Sequence, residues 1–159
     1  VTIQGLSKTF SVTGWRLGYA VASRELAAPI ALANDLFYVC APTPLQLGAA
    51  EGLRAPDSFF EALAGDYARR RELLCGALER AGLAPIVPEG AYYVLADARR
   101  LGPGGARERA LALLERTGVA AVPGSAFFRG PEGEDLLRFC YAKELDLLAT
   151  QLAGDEAGL

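Results

Sequence analysis

Large apolar residues in Trp15-Arg16-Leu17-Gly18-Tyr19-Ala20-Val21-Ala22 alternate with Arg16, Gly18, Ala20 and Ala22. That period of two predicts a short strand over 15–22, and residues 1–6 read as another, with 7–14 as the loop joining them. On the second strand Arg16 shares its face with small residues, which let a ligand or another backbone approach closely. The period then lengthens. Ser23 is placed to cap a helix to about Leu36, interrupted or kinked by Pro29. Thr43-Pro44-Leu45-Gln46 predicts a capping box, with threonine at the cap, proline in the first turn and glutamine at the third helical position, opening a helix to about Arg54. Pro56-Asp57 breaks the chain. Ser58 and Glu61 predict a second box before a long amphipathic helix that carries Phe60, Leu63, Tyr67, Leu74, Leu78 and Ala81 at helical spacing and ends at Gly82.

Beyond Gly82 the pattern predicts strands near 85–88 and 91–96, a helix near 106–117, strands near 119–122 and 136–142, and a closing helix from about Lys143. This second, smaller unit is α+β, and the long helix is the bridge to it. Gly102-Pro103-Gly104-Gly105 and Gly130-Pro131-Glu132-Gly133 read as surface loops.

Composition narrows the chemistry. With 52% hydrophobic and 22% charged residues, the 159-residue chain has ample apolar material for a core. Its net charge of -3 offers no basic field to nucleic acid. The three cysteines, Cys40, Cys75 and Cys140, contain no CxxC pair, which disfavours a disulfide framework or a zinc site and fits a reducing cytoplasm. No apolar run is long enough to span a bilayer, and no membrane partner is expected. The chain has no histidine and no methionine and opens on the strand-like Val1-Thr2-Ile3, so it reads as cut from something longer. Without histidine, acid–base work near neutral pH falls to a lysine, tyrosine, cysteine or carboxylate with a shifted pKa, or to a cofactor.

Lys8 and Arg16 flank a glycine-containing loop between two apolar stretches. A lysine amine held neutral attacks carbonyls, and a nearby arginine can clamp a phosphate; together they suggest pyridoxal phosphate. A free lysine has a pKa of about 10.4, so burial and a neighbouring cation such as Arg16 are the means of making it nucleophilic. Arg138 interrupts the apolar run Leu136-Leu137-Arg138-Phe139-Cys140-Tyr141, where an unpaired charge is expensive to bury. Buried, it needs an anionic partner; on the residues alone, an edge-strand arginine pointing to water or pairing with Glu134 or Asp135 is the plain reading. Taken alone, Tyr92 and Tyr93 read as sheet-face residues, Pro123-Gly124 as an ordinary turn, and 66–72 as a solvated helix face with local ion pairs.

The segment from Ser7-Lys8 to Gly14-Trp15-Arg16-Leu17-Gly18-Tyr19 resembles the lysine signature of fold-type I pyridoxal-phosphate enzymes, the class I/II aminotransferases. The resemblance continues through Gly90-Ala91-Tyr92-Tyr93, Val122-Pro123-Gly124-Ser125-Ala126-Phe127 and Leu137-Arg138-Phe139-Cys140-Tyr141-Ala142, and so covers essentially the whole chain. It implies a partial α/β fold of that type: 1–56 as the carboxy-terminal part of the large cofactor-binding domain, 57–82 as the connecting helix, and 83–159 as the small α+β domain. It also implies an aminotransferase moving an amino group between an amino acid and a 2-oxo acid through a pyridoxal 5'-phosphate Schiff base on Lys8. In that scheme Lys8 is catalytic, Arg16 contacts the phosphate, Ser7 adds a hydroxyl, and Arg138 binds the substrate α-carboxylate.

The same resemblance makes 90–93 the loop where the small domain enters the site, with 122–125 a turn beside it. Residues 38–46, including Pro42 and Thr43, would approach the partner subunit's site in a homodimer. The motifs are nearest to kynurenine and methionine aminotransferase relatives. Gly5 departs from the family, since many relatives carry there a serine that contacts the phosphate. The family's ring-stacking aromatic, its aspartate for the ring nitrogen and its groups for the phenolic oxygen have no counterpart in this chain. The isolated chain therefore reads as an incomplete catalyst with an exposed apolar surface. Two rival readings use similar motifs: a fold-type I lyase such as a cysteine-conjugate β-lyase, and the aminotransferase-like effector domain of a transcription regulator, which would follow a basic helix-turn-helix module.

Overall fold

The computed structural model describes residues 1–148. The chain divides into two compact units, Val1–Leu63 and the remainder from Ala64 onward. In the first, β1 (Thr2–Gly5) and β2 (Gly18–Val21) pair antiparallel, with Thr2 opposite Val21 and Gly5 opposite Gly18. A Cβ on Gly18 would lie 2.7 Å from the Gln4 carbonyl oxygen, so the close approach of the strands demands glycine there. A short helix α1 (Leu6–Thr9) follows β1 directly, and the Leu6 N–H donates to the Leu17 carbonyl at 3.0 Å, closing the base of the intervening loop.

The strand expected over 15–22 starts late. Residues Thr13–Trp15 form a 3-10 turn, and Arg16 adopts the left-handed conformation at φ 53. Arg16 is therefore outside the strand and does not share a β2 face with Gly18 and Ala20. Alternation records the polarity of side chains, whereas the chain's change of direction is set by backbone dihedrals.

Helix α2 (Arg24–Phe37) follows Ser23 as expected, but it continues through Pro29 without the expected interruption and buries none of its residues. Helix α3 (Thr43–Gly52) departs from the expected capping box: Pro42 occupies the cap, Thr43 is already helical, and the Gln46 Nε2 donates to the Ala41 carbonyl at 2.6 Å. Proline has neither a side-chain acceptor for the helix N–H groups nor an N–H for the glutamine oxygen to accept, so neither half of the box forms. Helix α4 (Asp57–Arg80) likewise begins one residue before the expected cap, which puts Ser58 inside its first turn and the Asp57 carboxylate near the positive end of the dipole. Its end is as expected. Gly82 at φ 75 donates to Glu79, and Leu83 donates to Leu78 at 2.9 Å, a Schellman motif whose two leucines are both buried.

The second unit is built on an antiparallel four-stranded sheet, β3 (Ala84–Ile86), β4 (Tyr93–Asp97), β6 (Leu136–Cys140) and β5 (Val122–Pro123) in spatial order β3-β4-β6-β5. Val94, Ala96, Leu137 and Phe139 point to one face and are buried with Leu74 and Leu78 of α4 and Leu113 of α5 (Ala106–Thr117). The start of α5 is held from outside: the Ala106 N–H donates to the Glu134 carboxylate at 3.0 Å, and the Gly105 N–H donates to Glu108 at 3.0 Å. Buried Arg109 donates to the Gly102 and Glu134 carbonyls and pairs with Asp135 at 2.8 Å. A charge this enclosed is tolerable because each of those acceptors offsets its lost hydration. Residues 145–148 are helical; the rest of the expected closing helix lies outside the described residues.

Candidate cofactor and carboxylate sites

The loop between β1 and β2 carries Ser7, Lys8 and Arg16, and its apolar residues explain why it holds a shape. Leu6 and Leu17 are buried with Ala49 of α3, and Phe10 and Trp15 pack beside them. The Trp15 ring lies so close to Gly48 that a Cβ there would come within 3.0 Å, and the Phe10 ring stands 3.3 Å from where a Gly52 Cβ would be. Two glycines and an alanine on α3 thus make seats for the loop's aromatics. Phe10 also meets Phe59 and Phe60 at ring separations of 6.0 and 6.3 Å.

Between those anchors two side chains bond to loop carbonyls. The Thr13 hydroxyl donates to the Ser7 carbonyl at 3.4 Å, and the Arg16 Nη1 donates to the Thr13 carbonyl at 3.1 Å. Thr13 therefore ties the Ser7 end of the loop to the Arg16 end, a role that nothing in the sequence singled out; its only signal was a hydroxyl in the middle of the loop. Lys8 sits in the last turn of α1 and is exposed, so the burial expected to tune its amine is not supplied by the described residues. An amine, a guanidinium and a hydroxyl in one anchored loop form a donor set that fits a phosphorylated aldehyde such as pyridoxal phosphate. Gly5 immediately precedes α1 in extended geometry, with nothing within 4 Å of a Cβ built there.

Arg138 belongs to the second unit. Neither acid expected beside it pairs with it: Asp135 is taken by Arg109, and the Glu134 carboxylate by the Ala106 N–H. Its Nε is buried with no acceptor. Its guanidinium carbon instead stands 5.0 Å from the Tyr93 ring centroid and 4.5 Å from that of Phe127. The 90–93 loop is held from the opposite face of the sheet. Buried Tyr141 donates its hydroxyl to the Gly90 carbonyl at 3.2 Å and its N–H to the Tyr92 carbonyl at 3.0 Å. Ala91 is left-handed at φ 68, and Tyr92 meets Tyr93 edge to face at 5.2 Å.

The remaining candidates are structural. Asp66 pairs with Arg69 and Arg70 as expected of a charged helix face. Arg70 and Arg71 are not simply solvated, however, because they reach the Lys143 and Pro88 carbonyls. Burial first, then the Glu79 carboxylate, pushes the Cys75 thiol up, partly countered by Arg71. Cys40 and Cys140 are exposed free thiols. In 38–46, Val39 holds φ 68 beside the Ala41 carbonyl that binds Gln46. Among the described residues no cluster of histidine, cysteine or carboxylate side chains could hold a metal, and no helix is long and apolar enough to cross a membrane.

The model of the aminotransferase class I and II family matches residues 1–152. Over 152 residues the chain is 37% identical to a putative aminotransferase, YugH, of Bacillus subtilis, covering 96% of this chain and 39% of that protein. It is 35% identical over 150 residues to the methionine aminotransferase of Escherichia coli, covering 94% of this chain and 39% of that one. Among solved structures, YbdL of Escherichia coli, described as having a methionine aminotransferase function, superposes with a TM-score of 0.86 at 32% identity over 97% of this chain and 41% of its own. An aromatic aminotransferase from Pyrococcus horikoshii superposes with a TM-score of 0.82 at 33% identity, over the same shares of the two chains. The chain thus spans about two fifths of the length of the relatives it matches. On the family match and these likenesses in sequence and fold, the chain belongs to the class I and II aminotransferases, with the partial α/β architecture of the fold-type I group.

Proposed function

We propose that this chain is the carboxy-terminal portion of a pyridoxal-phosphate-dependent aminotransferase, which exchanges an amino group between an amino acid and a 2-oxo acid. Residues 1–56 would end its large domain, 57–82 connect, and 83–159 form its small domain. The observation that carries the reading is the anchored loop in which Thr13 ties Ser7 to Arg16 around Lys8. Bound there, pyridoxal phosphate supplies an electron sink for the bond broken at the substrate α-carbon. Arg16 and the Ser7 hydroxyl would hold its phosphate, and Lys8 would supply the amine for its aldehyde. With the cofactor and substrate bound, the Lys8 amine would be the base that takes the substrate α-proton and later returns it. Arg138 would hold the substrate through its carboxylate with a two-pronged, charge-assisted contact.

The exposed thiols of Cys40 and Cys140 suit a reducing cytoplasm. Residues 38–46 are exposed apart from half-buried Ala41 and Leu45, which leaves them available to a second subunit in a homodimer. The relatives' names include methionine, aspartate and aromatic substrates, so the reading stops at the class of 2-amino acids. The test is the parent enzyme loaded with pyridoxal phosphate: borohydride reduction should label the peptide carrying Lys8, and Lys8→Ala should lose both the label and the visible band of the lysine-bound cofactor. An unchanged band in Lys8→Ala would sink the assignment.

A further inference from the structure

We propose that Tyr93 and Phe127 are positioning residues that hold the Arg138 guanidinium ready for a carboxylate, an inference that rests on the substrate role assigned to Arg138. Both rings reach it because of how the backbone is built. Arg138 lies opposite Leu95, and Tyr93 lies opposite Cys140, so Tyr93 is the diagonal neighbour of Arg138 on the sheet face away from the core. On the other side Val122 of β5 pairs with Arg138, and the chain then enters the 3-10 turn Gly124–Ala126, closed by the Phe127 N–H donating to the Gly124 carbonyl at 2.8 Å. That turn packs backbone to backbone against Gly133: a Cβ on Gly124 would lie 2.5 Å from the Gly133 carbonyl oxygen, and one on Gly133 would lie 2.7 Å from the Ser125 nitrogen. Two glycines therefore deliver Phe127 to the cation.

The chemistry follows from the shape of guanidinium. Its N–H donors all lie in one plane, and a ring beside its face is attracted by the positive charge without consuming any of them. Among the described residues Arg138 makes no hydrogen bond or ion pair, and its Nε lies buried without an acceptor. The two acids close to it in sequence are committed elsewhere, Asp135 to Arg109 and Glu134 to the start of α5. The rings thus supply the restraint that an ion pair would otherwise supply, and they leave the in-plane donors for a bidentate carboxylate. A long, rotamer-rich side chain that is ordered before binding loses less on binding.

Two unreactive ligands test this in the parent enzyme: 3-phenylpropionate and its amide, which differ only in the group Arg138 reads. Wild type should prefer the acid. Phe127→Leu, at a half-exposed site, and Tyr93→Leu should each weaken acid binding about five- to tenfold. The amide should be untouched, and Tyr93→Phe, which keeps the ring, should restore acid binding. With substrate, KM should rise in the same proportion while kcat stays within about twofold, as expected when ground state and transition state lose the same contact. If the ring-removing variants keep the acid preference within twofold while Arg138→Lys loses it, the positioning role is wrong and the substrate role of Arg138 stands. Equal losses for acid and amide would also overturn the positioning role, since the rings would then be touching the ligand directly. If wild type shows no acid preference, or Arg138→Lys retains it, both fall.

Discussion

At the scale of single residues, Tyr141 is the side chain whose work was least visible beforehand. It reads as one more apolar strand residue, yet its hydroxyl is the tie to the Gly90 carbonyl. Tyr141→Phe should cost about 1 kcal/mol, the usual net worth of such a bond, in a urea titration that follows the second unit. Burial raises its phenol above the ordinary tyrosine value. The folded state therefore binds that proton more tightly than the unfolded chain, so the contribution is intact below about pH 10 and is lost as pH rises through the raised value. Tyr141→Phe should remove that alkaline loss. Asp97 has the opposite sign. The Arg99 side chain first, and then its backbone N–H, hold the Asp97 carboxyl below its usual range, so its contribution is present above that range and lost as pH falls through the lowered value. Stability measured from pH 5 down to pH 2 should fall less steeply in Asp97→Asn than in the wild type. Gly5 offers the complementary gain. A Cβ there meets nothing within 4 Å, and the backbone is extended, so Gly5→Ser should fold normally. In the parent enzyme it should tighten pyridoxal phosphate several-fold through one added charge-assisted bond, measured by equilibrium dialysis.

At the scale of elements, periodicity located the helices better than the strands. The apolar spacing of α4 and its glycine stop were readable because the Schellman turn uses local geometry that only glycine adopts cheaply. Helix starts were less so: a threonine followed by proline and glutamine has the letters of a capping box, but a proline one place earlier took the cap. In 15–22 the alternating pattern continued through a 3-10 turn and a left-handed arginine, because side-chain polarity carries no information about φ. The turn at 124–126 is the element on which Phe127 depends. Gly124→Ala would set a Cβ against two carbonyl oxygens at 2.5 and 2.7 Å, both backbone, and neither can swing aside. It should destabilise the second unit by about 1–3 kcal/mol in denaturant unfolding, the usual cost of overpacking, whereas an alanine at Gly65, which nothing crowds, should not.

At the scale of the whole molecule, the two units are unequal. The second closes a core of α4, α5 and one sheet face, while the first fully buries only Leu6, Leu17 and Ala49. Leu36 and Phe37 of α2 are 77% and 90% exposed, and Ile3 of β1 is 78% exposed. Apolar surface on that scale drives association. The 159-residue chain alone should therefore sediment as concentration-dependent oligomers, and Leu36→Lys with Phe37→Glu should shift it toward monomer. The linear motifs, by their resemblance to the class I and II aminotransferases, were enough to point to the family and its partial α/β fold, and to propose Lys8, Arg16, Ser7 and Arg138 as site residues, because such signals are carried by residue type and short spacing. Which acid answers which arginine was decided only by the tertiary structure. Arg109 and Arg138 are equally cationic on paper, and proximity in sequence favoured Glu134 or Asp135 for Arg138. The sheet register and the packing of α5 gave Asp135 to Arg109 and turned Arg138 toward two aromatic rings, since partners far apart along the chain meet only once the backbone is folded.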